Sequence, residues 1–92
     1  MTRMSARQAR EVIEGAELVK APTWSEDRRW HVVSGDTLLV VIEPGCSGIR
    51  RTGWRWWIAD LGPSSNRSQQ PTREKAAIAG LRAWQRWATA RD

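Results

Sequence analysis

Hydrophobic and polar positions alternate along this chain with two different periods, and the changes of period mark out its elements. Ser5-Ala6-Arg7-Gln8 has the form of a capping box, with Ser at the N-cap and Gln at N3. Ala9, Val12, Ile13, Ala16 and Val19 then recur at helical spacing and predict a first helix over residues 5–20, following a frayed stretch at 1–4. Arg7/Glu11 and Arg10/Glu14 form i,i+4 pairs on its solvated side, and Ala21-Pro22 closes it, because the residue before proline avoids the α region. Thr23 to Asp27 is a connector whose one indole, Trp24, docks back on the core.

The period then changes to two. Arg28–Val33 and Thr37–Glu43 predict two strands joined by the tight turn Ser34-Gly35-Asp36, and together an antiparallel hairpin. Leu38 to Ile42 is apolar on both faces, which suits the centre of a sheet. Pro44–Thr52, rich in Gly and carrying Arg50 and Arg51, reads as a loop. The third strand is Gly53-Trp54-Arg55-Trp56-Trp57-Ile58-Ala59-Asp60-Leu61-Gly62. Strand alternation sends Trp54, Trp56 and Ile58 to one face and Arg55, Trp57 and Ala59 to the other. Residues 63–70 form a polar, mobile surface loop. A second helix over 72–90 follows, with Thr72 as cap and Glu74 in the first turn. Its packing face is Ala77, Gly80, Leu81, Trp84, Trp87 and Ala88, and Gly80 marks a close approach to the sheet. The expected fold is a single α+β domain over 1–92, with a three-stranded antiparallel sheet over 28–62 between an N-terminal and a C-terminal helix.

Composition sharpens this picture at the core. The 92 residues include seven Trp and neither Phe nor Tyr. Each indole can bury about 150–250 Å², so four or five inward-facing ones support a core in a chain this short. Seven are hard to hide, and one or two exposed indoles are expected, Trp57 foremost. No apolar run reaches the roughly 18 residues of a membrane span, and no secretory signal opens the chain. The single Cys46 cannot form an internal disulfide, which fits a reducing cytoplasm.

Charge bears on partners. The formal net charge is +5, and thirteen of the fifteen basic residues are arginine. Arginine brings planar hydrogen bonding and stacking along with charge. Catalytic constellations are thin: one His and one Cys cannot build a metal centre, and Glu43, Asp60 and Glu74 form no recognisable acid/base pair. Pro44-Gly45-Cys46-Ser47-Gly48 lacks the Lys-Ser/Thr ending of a phosphate-cradling loop. The expectation is a non-enzymatic protein with no cofactor and no metal. Arg and Trp together are the vocabulary of protein interfaces, and of single-stranded nucleic-acid platforms as well. For a protein partner the candidate residues are Arg55, Trp57, Arg51 and Trp30. For nucleic acid they are Arg50, Arg51, Arg67, Arg73 and Lys75. A third expectation is a homodimer formed by pairing of the Trp-bearing strand, placed at a sheet edge, with its copy.

The order helix–strand–strand–strand–helix resembles the double-stranded-RNA-binding domain. The stretch Thr72-Arg73-Glu74-Lys75-Ala76-Ala77-Ile78-Ala79-Gly80-Leu81 is similar to that family's last helix. The resemblance implies two helices packed on one face of an antiparallel sheet, with Arg73 and Lys75 at phosphate-binding positions. Glu74 interrupts those two, and the short acidic turn Ser34-Gly35-Asp36 departs from the family's histidine-bearing hairpin loop. The Arg/Ala/Trp-rich composition is also similar to that of small accessory proteins of actinobacteria and their phages, among which binding a host protein is a common task.

Overall fold

A computed structural model of the chain describes residues 4–21, 29–47, 50–63 and 69–90, with side chains for all of these except 46, 47 and 50–52. Its elements run α1 (Ala6–Glu14), β1 (Ala16–Lys20), β2 (Trp30–Ser34), β3 (Thr37–Ser47), β4 (Arg50–Ile58) and α2 (Arg73–Thr89). The four strands form one antiparallel sheet in the order β1-β2-β3-β4. The fold is α+β as expected, but with four strands rather than three.

The added strand comes from the end of the expected first helix. α1 starts as the capping box requires: Gln8 N donates to Ser5 Oγ at 3.1 Å, and Ser5 N donates to Gln8 Oε1 at 2.9 Å. It ends at Glu14, not residue 20. Gly15 forms the C-cap, its N–H donating to the carbonyls of Val12 and Glu11 at 3.2 and 3.3 Å. Residues 16–20 then pair with β2, Ala16 opposite Ser34 through Lys20 opposite Trp30. Two physical terms favour this outcome. Glycine weakens a helix interior by about 1 kcal/mol, and without β1 the backbone groups along β2 would stand unpaired. Ser34 closes the joint by donating its hydroxyl to the Val12 carbonyl at 2.8 Å. The start of the chain also departs from expectation at Met4, which packs on the core and donates its N–H to Ala88 O at 3.0 Å.

The second departure lies at 44–52. Instead of a loop, most of this stretch extends β3 and β4 into a hairpin, with Pro44 opposite Trp54, Gly45 opposite Gly53, and Ser47 opposite Arg50. β2 ends at the Trp30–Ile42 pair, so among the described residues β3 has a strand neighbour on one side only beyond Ile42. A proline is tolerated on such an edge. β4 stops at Ile58, four residues before the expected end, because Leu61 N and Gly62 N turn back to the Ile58 carbonyl at 3.0 and 3.1 Å. The connector 22–28, with Trp24 and Arg28, and most of the polar loop, 64–68, lie outside the described residues.

The two helices share one face of the sheet. Ala9 from α1 and Ala76, Ala77, Trp84 and Ala88 from α2 join Val32, Leu39, Val40, Ile42, Trp56 and Ile58 in a single core. The β2–β3 register shifts at Val32/Val33 and leaves Leu39 as an extra residue, a bulge that lets both Leu39 and Val40 enter this core. Gly80 is the contact point of helix and sheet. A Cβ built there would lie 2.5 Å from Val40 Cγ1. Trp54, Leu81 and Trp87 pack around the periphery.

Candidate interaction face of the sheet

The registers assign the other face of the sheet. Val19 stands opposite His31, His31 opposite Val41, and Val41 opposite Trp57, so the four residues cross the sheet in one row. The next row toward the β3–β4 hairpin end contains the cross-strand pair Glu43 and Arg55. Neither α1 nor α2 lies on this face.

Glu43 holds two guanidinium groups at once. Arg55 Nη1 is 3.3 Å from Glu43 Oε1, and Arg29 Nη2 is 3.3 Å from Glu43 Oε2. The register delivers Arg55 directly, whereas Arg29 arrives from the residue just before β2. Both guanidinium carbons also lie near the Trp57 ring, at 5.8 and 5.9 Å from its centroid. That is cation–π range. One carboxylate and one indole therefore position two cations whose side chains remain 35% and 37% exposed. Arg29 Nε is buried and, among the described residues, has no hydrogen-bond partner. The cluster carries a surplus of one positive charge and of donors, because each guanidinium offers five N–H groups.

Trp57 itself is only 5% exposed. This corrects the expectation that it stands out as a free indole. Of the six tryptophans among the described residues, Trp56, Trp57 and Trp84 are buried, Trp30, Trp54 and Trp87 are half-buried, and none is exposed. The Arg55–Trp57 pair thus presents its guanidinium, with the ring as the support beneath.

His31 sits between two valines with Arg29 nearby, and both burial and that positive neighbour lower its pKa from the ordinary 6.5. It is a neutral member of the face at pH 7. Among the described residues no three of His, Cys, Asp and Glu gather as a metal site would require.

The other candidate residues lie elsewhere. Trp30 pairs with Ile42 and points to the helix face. Its ring is capped by Arg73, whose guanidinium carbon is 4.0 Å from the centroid, while Arg73 Nε is 3.0 Å from Glu74 Oε2. Trp30 and Arg73, which the sequence assigned to different partners, are therefore partners of each other at the start of α2. Lys75 is exposed in the first turn of α2, where its backbone N–H donates to the Thr72 cap at 3.1 Å. The backbones of Arg50 and Arg51 lie on β4 opposite Ser47 and Cys46. Their side chains, and the whole of Arg67, are outside the described residues. Glu43 was not foreseen as part of any site, and its role follows from register, which a single strand does not announce. Its spacing to Pro44 and Gly45 has no signature of its own.

The edge expectation divides in the same way. β4 is an outer strand of the sheet, but Trp54 exchanges backbone hydrogen bonds with Gln70, at 2.8 and 3.0 Å, on that side. Part of the edge is thus already used. Among the described residues, no helix is long and apolar enough to cross a membrane. The four-stranded α-β-β-β-β-α order is compatible with an α+β class and supports no finer family assignment. No protein-family model, curated protein or solved structure matches the chain.

Proposed function

We propose that this chain is a non-enzymatic interaction protein that binds a protein partner through the sheet face opposite α1 and α2, with Arg55, supported by Trp57, at its centre. The observation that carries this reading is the Arg29–Glu43–Arg55 cluster held against the Trp57 ring. Ordering a free arginine at an interface costs about 0.5–1.5 kcal/mol of rotamer freedom. Here Glu43 and the indole have already restricted both side chains, so less of that cost remains for binding. Val33 and Leu38, half-buried on the same face beyond the His31–Val41–Trp57 row, add apolar contact at its other end.

A photo-cross-linking pull-down with mass spectrometry tests this, with the cross-linker placed at Val33 and with nuclease-treated and untreated arms. Capture that resists nuclease and is lost with Arg55→Glu supports the reading. Capture unchanged by Arg55→Glu refutes it.

A second reading, nucleic-acid binding, draws on one observation. Arg50 and Arg51 occupy the end of a two-stranded ribbon that continues past the body of the sheet, a shape that enters nucleic-acid grooves. Arg73 contributes less, since Trp30 and Glu74 already engage it. Binding of this kind falls steeply with salt. A gel shift at low salt with no retention of single- or double-stranded DNA or RNA removes it.

A further inference from the structure

A different surface carries an inference that is independent of the sheet-face reading. β1 is the outermost strand of the sheet, and among the described residues no strand pairs with its outer edge. Alongside that edge, on the helix side, lies an open groove of about 250 Å³ between β1 and α2. Its walls are Leu18, Val32, Ala77, Ile78 and Leu81. Ile78 is 53% exposed, the most exposed of the large hydrophobics among the described residues. An unpaired strand edge beside an apolar groove is the arrangement that accepts an added strand, with main-chain hydrogen bonds to the edge and alternate side chains in the groove.

The chemistry of the added strand follows from what borders the groove. Glu17 and Glu74 are its charged lining residues, in a chain whose net charge is +5. Glu74, on the α2 side of the groove, is already engaged by Arg73 at 3.0 Å, so Glu17 is the acidic group left to meet the added strand. Glu17 belongs to the opposite set of β1 positions from Leu18, since its cross-strand partner is Val33 rather than Val32. In a strand added to β1, every second side chain enters the groove, and the intervening ones lie on the side of Glu17. Apolar residues are favoured at the first set and basic ones at the second.

We infer that the β1 edge and the β1–α2 groove bind an extended segment of a partner protein in which apolar and basic residues alternate. The five residues of β1 match a partner segment of about five residues, roughly 17 Å long. A second copy of this chain fits less well. Two-fold antiparallel pairing of β1 with itself conserves the faces, and Glu17 and Lys20 lie on opposite faces, so it never sets one opposite the other.

The probe is a capped six-residue peptide alternating valine and lysine, compared with one alternating valine and glutamate. Amide NMR shifts of the full chain are followed during titration. The expected result is shifts at Ala16–Lys20 and Ala77–Leu81 with the basic peptide, and far weaker ones with the acidic peptide. Ile78→Asp, at an exposed site with the fold checked by circular dichroism, is expected to weaken binding about tenfold. Glu17→Lys is expected to narrow the preference for the basic peptide. The inference is overturned if neither peptide shifts those amides, if both bind equally, or if Ile78→Asp binds as wild type does. It is also overturned if sedimentation shows a dimer and hydrogen exchange shows its β1 amides protected without peptide, which assigns the edge to a second copy.

Discussion

Replacing Gly80 with alanine tests the packing of α2 on the sheet, and the sign of the effect decides the matter. Considered on the helix alone, Gly80→Ala stabilises by about 1 kcal/mol, the usual difference in propensity. Considered on the packing, it destabilises. The new Cβ would stand 2.5, 3.1 and 3.3 Å from Val40 Cγ1, Cγ2 and Cβ, whereas carbon atoms sit comfortably at about 3.5–4.0 Å. Relief requires α2 to retreat by about 1 Å or Val40 to leave its rotamer. Val40 is fully buried, β-branched and in the middle of the sheet, so it has little room to turn. Overpacking of a well-filled core costs about 1–3 kcal/mol, and with three contacts on an immobile neighbour the upper half of that range applies. The net expectation is a loss of about 1–2 kcal/mol, which lowers the melting temperature by roughly 5–15 °C in a chain of this size.

Urea titration followed by tryptophan fluorescence measures it, since Trp56 and Trp84 report from the same core. A double-mutant cycle with Val40→Ala isolates the cause. Val40→Ala alone costs about 2–3 kcal/mol, but it removes both Cγ atoms that the alanine at 80 would meet. In that background Gly80→Ala is expected to stabilise by about 0.5–1 kcal/mol, through propensity alone. If Gly80→Ala stabilises the wild-type chain, or costs the same in both backgrounds, the close-approach argument is wrong.

Three further outcomes follow from the same structure. The lowered pKa of His31 means that the unfolded chain binds a proton more readily than the folded one, so its contribution is complete above about pH 6.5 and is lost as pH falls through the folded value; stability measured between pH 7 and pH 5 should fall more steeply for wild type than for His31→Gln. Glu43→Gln leaves Arg29 and Arg55 facing each other over Trp57, and should cost about 1 kcal/mol in urea titration, an effect discounted for partial exposure and expected to change with salt. Gly53→Ala meets a backbone at φ 128° and would bring a Cβ to 2.8 Å from Gln70 O, so thermal denaturation should show a loss of about 1–3 kcal/mol together with weakened Trp54–Gln70 pairing.

Much of this molecule follows from local pattern. The capping box at Ser5 and Gln8, the turn at Gly35 and the cap at Thr72 each depend on residues close together in the chain. Such features are readable because the interaction that stabilises them spans at most a few residues. Ala16 and Val19 were misleading for a related reason: the same residues satisfy a helical stripe and a short strand, and Gly15 alone is a weak divider. The long hairpin was hidden by Pro44 and Gly45, which are loop residues by propensity and become strand residues once a partner strand supplies the hydrogen bonds.

The candidate site divides along the same line. Alternation in Trp54–Ile58 by itself determined that Trp56 and Trp57 face opposite sides of the sheet, and that some arginine would accompany Trp57. Only the tertiary structure decided which groups meet. Arg29, Glu43 and Arg55 come from three strand regions and converge through register, while Arg73 is drawn to Trp30 by the docking of α2. Side-chain period is a property of one strand's backbone and is written in its own residues. The partner across a strand pair depends on bulges such as that at Leu39, and on where neighbouring strands begin and end. Those are set by the packing of the whole chain.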